Sequence, residues 1–223
     1  MLLSAALSLV FAQAAAGAAT PDWGSPRYRA CTAAIEANAE QAYETAMAWA
    51  NEGHDLEPLR CAALALIQLG RHELAARRLE GLAAVAEGYD AGTRAGLLVQ
   101  AGHAWLLAED AAHARSAFTL AIAEIGADRN ALPDVLIDRA IAYAEESDWR
   151  NAEEDLSRAL DLRGDDALAL RLRAMARLRQ GALDLALADA QRAVALAPRD
   201  VDAALTLGHV RETQRRGRAF DAE

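Results

Sequence analysis

The sequence predicts an all-α protein built as an array of stacked antiparallel helix pairs, on three observations. Apolar residues make up 53% of the chain but aromatics only 5%. Much of the apolar share is alanine, which favours helices packed closely through small side chains. Strand signals are nearly absent. The C-terminal half repeats itself without gaps at a shift of 34 residues (167 minus 133). Self-similarity at such a period marks repeated supersecondary units.

The N-terminal segment stands apart from that array. Residues 2–19 (LLSAALSLVFAQAAAGAA) form an apolar run with A-x-A sites at Ala12-Gln13-Ala14 and Ala16-Gly17-Ala18. They read as a secretory signal peptide over 1–19, followed by a polar linker over 20–26. A basic n-region is missing and no lipobox cysteine follows, so a retained N-terminal anchor is the alternative. Cleavage predicts a periplasmic or secreted protein, and retention one tethered to the membrane and facing the periplasm. Export permits a disulfide between Cys31 and Cys61, the two cysteines. Such a bond would close a loop of about 30 residues, worth about 3 to 4 kcal/mol. Two buried free thiols are the other reading.

The repeat is clearest where PDVLIDRAIAYAEESDWRNAEEDLSRALDLRGDD (133–166) aligns with ALALRLRAMARLRQGALDLALADAQRAVALAPRD (167–200). Ala140 falls over Ala174, Ala152 over Ala186 and Ala159 over Ala193. Arg139 and Asp155 fall over Arg173 and Asp189. Each unit has room for two helices joined by a tight turn, at Ser147-Asp148 and at Gln180-Gly181. In such a hairpin positions 7 and 23 face each other, which predicts the ion pairs Arg139–Asp155 and Arg173–Asp189. Read as partly exposed pairs, each contributes about 0.5 to 1 kcal/mol.

These residues resemble the tetratricopeptide repeat (TPR) family, whose 34-residue hairpins keep small residues at positions 8, 20 and 27 and a proline near 32, where Pro198 stands. The unit 95–128 fits with Gly102, Trp105, Ala114, Phe118 and Ala121, and the unit 56–89 more weakly with Ala63, Gly70, Ala75 and Leu79. Residues 27–54 supply a divergent cap hairpin, and 201–217, with Gly208 at the first small position, a polar capping helix. The chain departs from the family at Gly126 and Gly164, where proline is usual, at Ala190, where a large residue is expected, and in four extra residues over 129–132. The resemblance implies a right-handed superhelix, an α-solenoid of about four to five hairpins filling 27–223.

Composition and motifs exclude several function classes. A net charge of −10 leaves no basic surplus for nucleic-acid phosphates or acidic membrane surfaces. All 23 basic residues are arginine, which reflects compositional bias. The histidines (His54, His72, His103, His113 and His209) show no metal-ligand spacing, and there is no G-x-S-x-G, H-E-x-x-H or C-x-x-C. The acidic clusters Glu145-Glu146 and Glu153-Glu154-Asp155 read as solvated helix faces. No enzyme, metal or cofactor is expected.

What the resemblance implies instead is protein binding along the concave groove lined by the first helix of each unit. Carried over by position, the groove residues are Val99, His103, Leu106 and Leu107, then Asp134, Ile137, Ile141, Ala144 and Glu145. Leu168, Arg171, Met175, Leu178 and Arg179 follow, and the capping helix adds Leu205, His209 and Glu212. The mixture suits a peptide or an amphipathic helix. Some of these side chains could instead pack against a terminal helix filling the groove. The lysine and asparagine clamp that some relatives use on chaperone tails is absent, so the partner is a protein or peptide of no specified identity. A membrane enters only if the N-terminal segment stays uncleaved.

Overall fold

The computed structural model describes residues 24–217 apart from 54, 87, 127 and 129. The expected signal peptide, most of the expected linker, His54 and the last six residues therefore lie outside the described residues.

Helices begin where a short polar side chain can take up amides that have no partner inside the helix. Ser25 caps α1 (Pro26–Ala37), accepting from the Tyr28 amide. Asn38 both ends α1 and caps α2 (Ala39–Ala50), so a single residue joins the first pair. Asp55 caps α3 (Leu56–Gln68), while α4 (His72–Val85) lacks a side-chain cap. Asp90 and Asp110 cap α5 (Ala91–Leu107) and α6 (Ala111–Ile125). Next come α7 (Leu132–Glu145) and α8 (Trp149–Leu162), the latter capped by Asp148. Asp166 caps α9 (Ala167–Arg179), α10 (Leu183–Leu196) follows, and Asp200 caps α11 (Val201–Arg216).

One turn is used four times. Gly70, Glu109, Ser147 and Gly181, each at unit position 15, have φ of 71, 60, 61 and 77°. In all four the amide of this residue donates to the carbonyl three back, and the next amide donates to the carbonyl five back, as Asp148 does to Tyr143 at 2.8 Å. That is the Schellman closure, which satisfies the last free carbonyls and reverses the chain. Glycine takes this left-handed conformation at no steric cost, whereas Glu109 and Ser147 hold it under strain.

The hairpins close through size matching at positions 8 and 24. Gly102 faces Phe118, whereas Ala63, Ala140 and Ala174 stand in units whose position 24 is Leu79, Leu156 and Ala190. All but Gly102 are at most 1% exposed, and a Cβ on Gly102 would meet the Phe118 ring at 2.5 Å. The smallest residue admits the largest partner. The Ala190 departure is taken up by a small core of Ala174, Leu178, Ala186 and Val210, flanked by Met175, Leu187 and Leu207.

The result is an α-solenoid in which each helix packs on the next along the chain. Neighbouring first helices also touch, α5 with α7, α7 with α9 and α9 with α11, while second helices barely meet one another. First helices therefore converge on the inner face and second helices splay on the outer one. The residues around the 129–132 insertion leave an apolar cavity of about 440 Å³ between α5, α6 and α7, lined by residues including Val99, Ile125 and Val135.

Candidate functional site

The inner face is built by α5, α7, α9 and α11, whose side-chain stripes repeat every 3.6 residues. Val99 is half-buried and borders the 440 Å³ cavity. His103, with 27% of its side chain exposed, places Nε2 2.9 Å from Oδ2 of Asp138 on the next first helix and sets its ring edge-on to Phe118. Burial opposes charge on the imidazole, but the carboxylate outweighs it and raises the His103 pKa above the usual 6.5. Asp134 is exposed and pairs with Arg163. Ile141 is half-buried and Glu145 exposed at the rim. Farther along, Arg171, Met175 and Arg179 are half-buried, and the Arg179 guanidinium lies 5.4 Å from the Trp149 ring centre. On α11, Leu205 and His209 are exposed, and Glu212 pairs with Arg215 and Arg216.

Three expected groove residues are corrected. Leu106 and Ile137 are 5% and 4% exposed and belong to the core. Leu106 lies four residues after Gly102 and Ile137 three before Ala140, so each shares a helix stripe with the small residue that draws the neighbouring helix close. Neither presents surface to a ligand. Leu178, at 1% exposed, is buried for the same reason, four residues after Ala174.

The position-7 arginines sit deeper than partly exposed surface pairs. Arg139 donates to Asp155 through Nε at 2.7 Å and Nη2 at 2.8 Å, and Arg173 to Asp189 at 2.8 and 2.9 Å. The Asp155 and Asp189 side chains are only 4% and 8% exposed. Because the hairpin turn presses positions 7 and 23 together between neighbouring units, the sequence-based value of 0.5 to 1 kcal/mol does not apply. Buried pairs are costly to break from one side. Each arginine also reaches the preceding second helix, Arg139 to Thr119 and Arg173 to Ser157, both at position 25.

Three participants escaped sequence reasoning. Asp138 falls at position 6, which the groove positions implied by the resemblance, 2, 5, 9, 12 and 13, omit. Arg177, one turn after Arg173, bridges Glu153 and Asp189 at 2.7 Å each. Arg60, at position 5 of the unit 56–89, is buried, donates to Gln100 at 2.9 Å and lies over the Tyr28 ring. Burial lowers the Arg60 pKa and raises that of Tyr28. Extending the groove positions one unit upstream would have found Arg60. Nearby, Cys31 and Cys61 form a disulfide that ties α1 to α3. Among the described residues no cluster of three or more His, Cys, Asp or Glu could hold a metal ion, and no helix is long and apolar enough to cross a membrane.

Comparison with solved structures settles the architecture. Cut9 of the APC/C hetero-tetramer Cut9–Hcn1 superposes with a TM-score of 0.61 at 22% identity, over 79% of this chain and 34% of that one. MamA from RS-1, an ArsTM double mutant, gives 0.63 at 17% identity over 76% and 92%. The first TPR domain of Spaghetti (RPAP3) gives 0.51 at 23% over 56% and 95%. The chain has a TPR-like fold. It spans about a third of the Cut9 chain, and the similarity at these identities is one of fold. No family model matches the sequence, and no curated protein matches it. Within the TPR-like array the Schellman turns mark the junction of first and second helices, and the arginine ladder binds consecutive units.

Proposed function

We propose that this TPR-like array is an exported, non-catalytic scaffold that holds a peptide or helix of a partner protein against its inner face. The observation that carries the reading is the row of half-buried and exposed side chains from Val99 and His103 through Ile141 to Arg171, Met175 and Arg179, set on converging first helices. Apolar contacts mixed with a few charges suit an amphipathic segment. In the same fold, the first TPR domain of RPAP3 is bound to an HSP90 peptide, SRMEEVD. Export rests on the apolar N-terminal run and agrees with the disulfide, since oxidising compartments sustain such bonds.

The test compares affinity capture from the envelope fraction by the wild type and by a variant with Arg171, Met175 and Arg179 replaced by alanine. Loss of specific partners from the variant, with unchanged far-UV circular dichroism, supports the inner-face reading. Identical partners on both baits overturn it. Sequencing the mature N-terminus separates a secreted protein, starting near Ala19 or Thr20, from a tethered one starting at Met1.

A further inference from the structure

The last described helix carries a seat with no described occupant. In the unit 95–128 the stripe at positions 1, 4, 8 and 11 of the first helix, Ala95, Leu98, Gly102 and Trp105, is buried, with Gly102 against Phe118 and Trp105 stacked on His113 of its own second helix. The matching residues of α11, Val201, Ala204, Gly208 and Arg211, are all exposed, Val201 by 70%. Leu205, 54% exposed, widens the apolar part. A Cβ on Gly208 would meet nothing within 4 Å, in contrast to Gly102. The opposite face, Ala203, Thr206, Val210 and Thr213, is the one buried against α9 and α10.

The charge on α11 indicates what fits there. Its start is acidic, with Asp200 and Asp202, while its end carries Arg211, Arg215 and Arg216 against one acid, Glu212, which pairs with Arg215 and Arg216 and leaves that end with a net positive charge. A second helix runs antiparallel to its first, so the seat expects an antiparallel neighbour. An antiparallel copy of α11 sets the acidic start of each chain beside the basic end of the other, with the small Gly208 at the midpoint where the two come closest. Both seats then fill at once about a two-fold axis, the closed arrangement typical of homodimers. We infer that the protein self-associates through α11, two copies pairing antiparallel across Gly208 to form a dimer whose inner faces stay open.

Sedimentation velocity of the full chain across the micromolar range tests this. The wild type is expected to shift from monomer to dimer with concentration, and rising salt should weaken the dimer because charge pairs guide it. Gly208→Arg should raise the dissociation constant by about tenfold or more while circular dichroism and melting stay native. Asp202→Arg and Arg211→Glu should each weaken the dimer, and the two together should restore it. Gly208→Cys should give an interchain disulfide on the axis. A wild type monomeric throughout overturns the inference and leaves the α11 face to residues after 217 or to another protein. A dimer indifferent to Gly208→Arg overturns it by placing the contact elsewhere. Alanine replacement at Arg171, Met175 and Arg179 should leave dimerisation intact, so this result and that on partner binding are read separately.

Discussion

The two ends of the array hold together by different means. From α1 to α4 the 34-residue pattern is loose: one residue joins α1 to α2, and no Schellman turn closes that pair. The buried cluster there is small, with Tyr28, Cys31, Ala46, Cys61 and Ala62. A covalent bond supplements it, together with Arg60 reaching across to Gln100 and Ser25 donating to Glu57 at 2.7 Å through its amide. From α7 to α10 the two units align without gaps, and buried arginine–aspartate pairs cross from helix to helix. A solenoid buries each unit's apolar face only against its neighbours, so an end unit with one neighbour lacks half of that burial. A disulfide compensates without needing area, because it acts mainly on the unfolded chain.

Four measurements break or sharpen this contrast. Asp189→Ala leaves Arg173 and Arg177 without their shared carboxylate and should cost about 3 to 5 kcal/mol in denaturant unfolding. A loss below about 1 kcal/mol would place the ladder among surface pairs. Replacing Cys31 and Cys61 with serine should cost about 3 to 4 kcal/mol. Hydrogen exchange should locate that loss in α1 to α4, with α7 to α10 still protected; uniform loss would show that the ends are not separate. Gly102→Ala sits between the regions and drives a Cβ into the Phe118 ring. Overpacking of about 1 to 3 kcal/mol outweighs the helix propensity gained, about 1 kcal/mol, and a raised melting temperature would refute the size match.

The smallest effect is the pH response of the His103–Asp138 pair, which links α5 to α7. The folded His103 pKa is raised, so the pair's stabilisation is full below the unfolded value near 6.5 and is lost as pH rises through the higher folded value. For a side chain 27% exposed this is worth below about 1 kcal/mol. His103→Gln should flatten that slope, seen by chemical melts at slightly acidic and slightly alkaline pH.

Much of the array was legible in the chain because its signals are local. Alanine and glycine at positions 8, 20 and 27 state where two helices must approach, and turn residues at position 15 state where each pair reverses. The spacing of Arg139 and Asp155 carries their pairing, since a hairpin of fixed turn sets which positions face. Their burial was not legible, because it depends on how neighbouring units close over them. Leu106 and Ile137 were misread for a related reason: a position rule names a direction from the helix axis, and whether that direction ends in solvent or in a neighbour depends on the packing angle between units.

By itself, then, the sequence determined an all-helical repeat, its register, its turns and the partners of its position-7 arginines, all consequences of period and of residue size. Only the tertiary structure decided which inner-face side chains remain accessible, that His103 is held by Asp138, that Arg60 is buried against Tyr28, and that Gly208 lies open while Gly102 is closed. These depend on contacts between residues distant in the chain. No local pattern records how much water such contacts exclude.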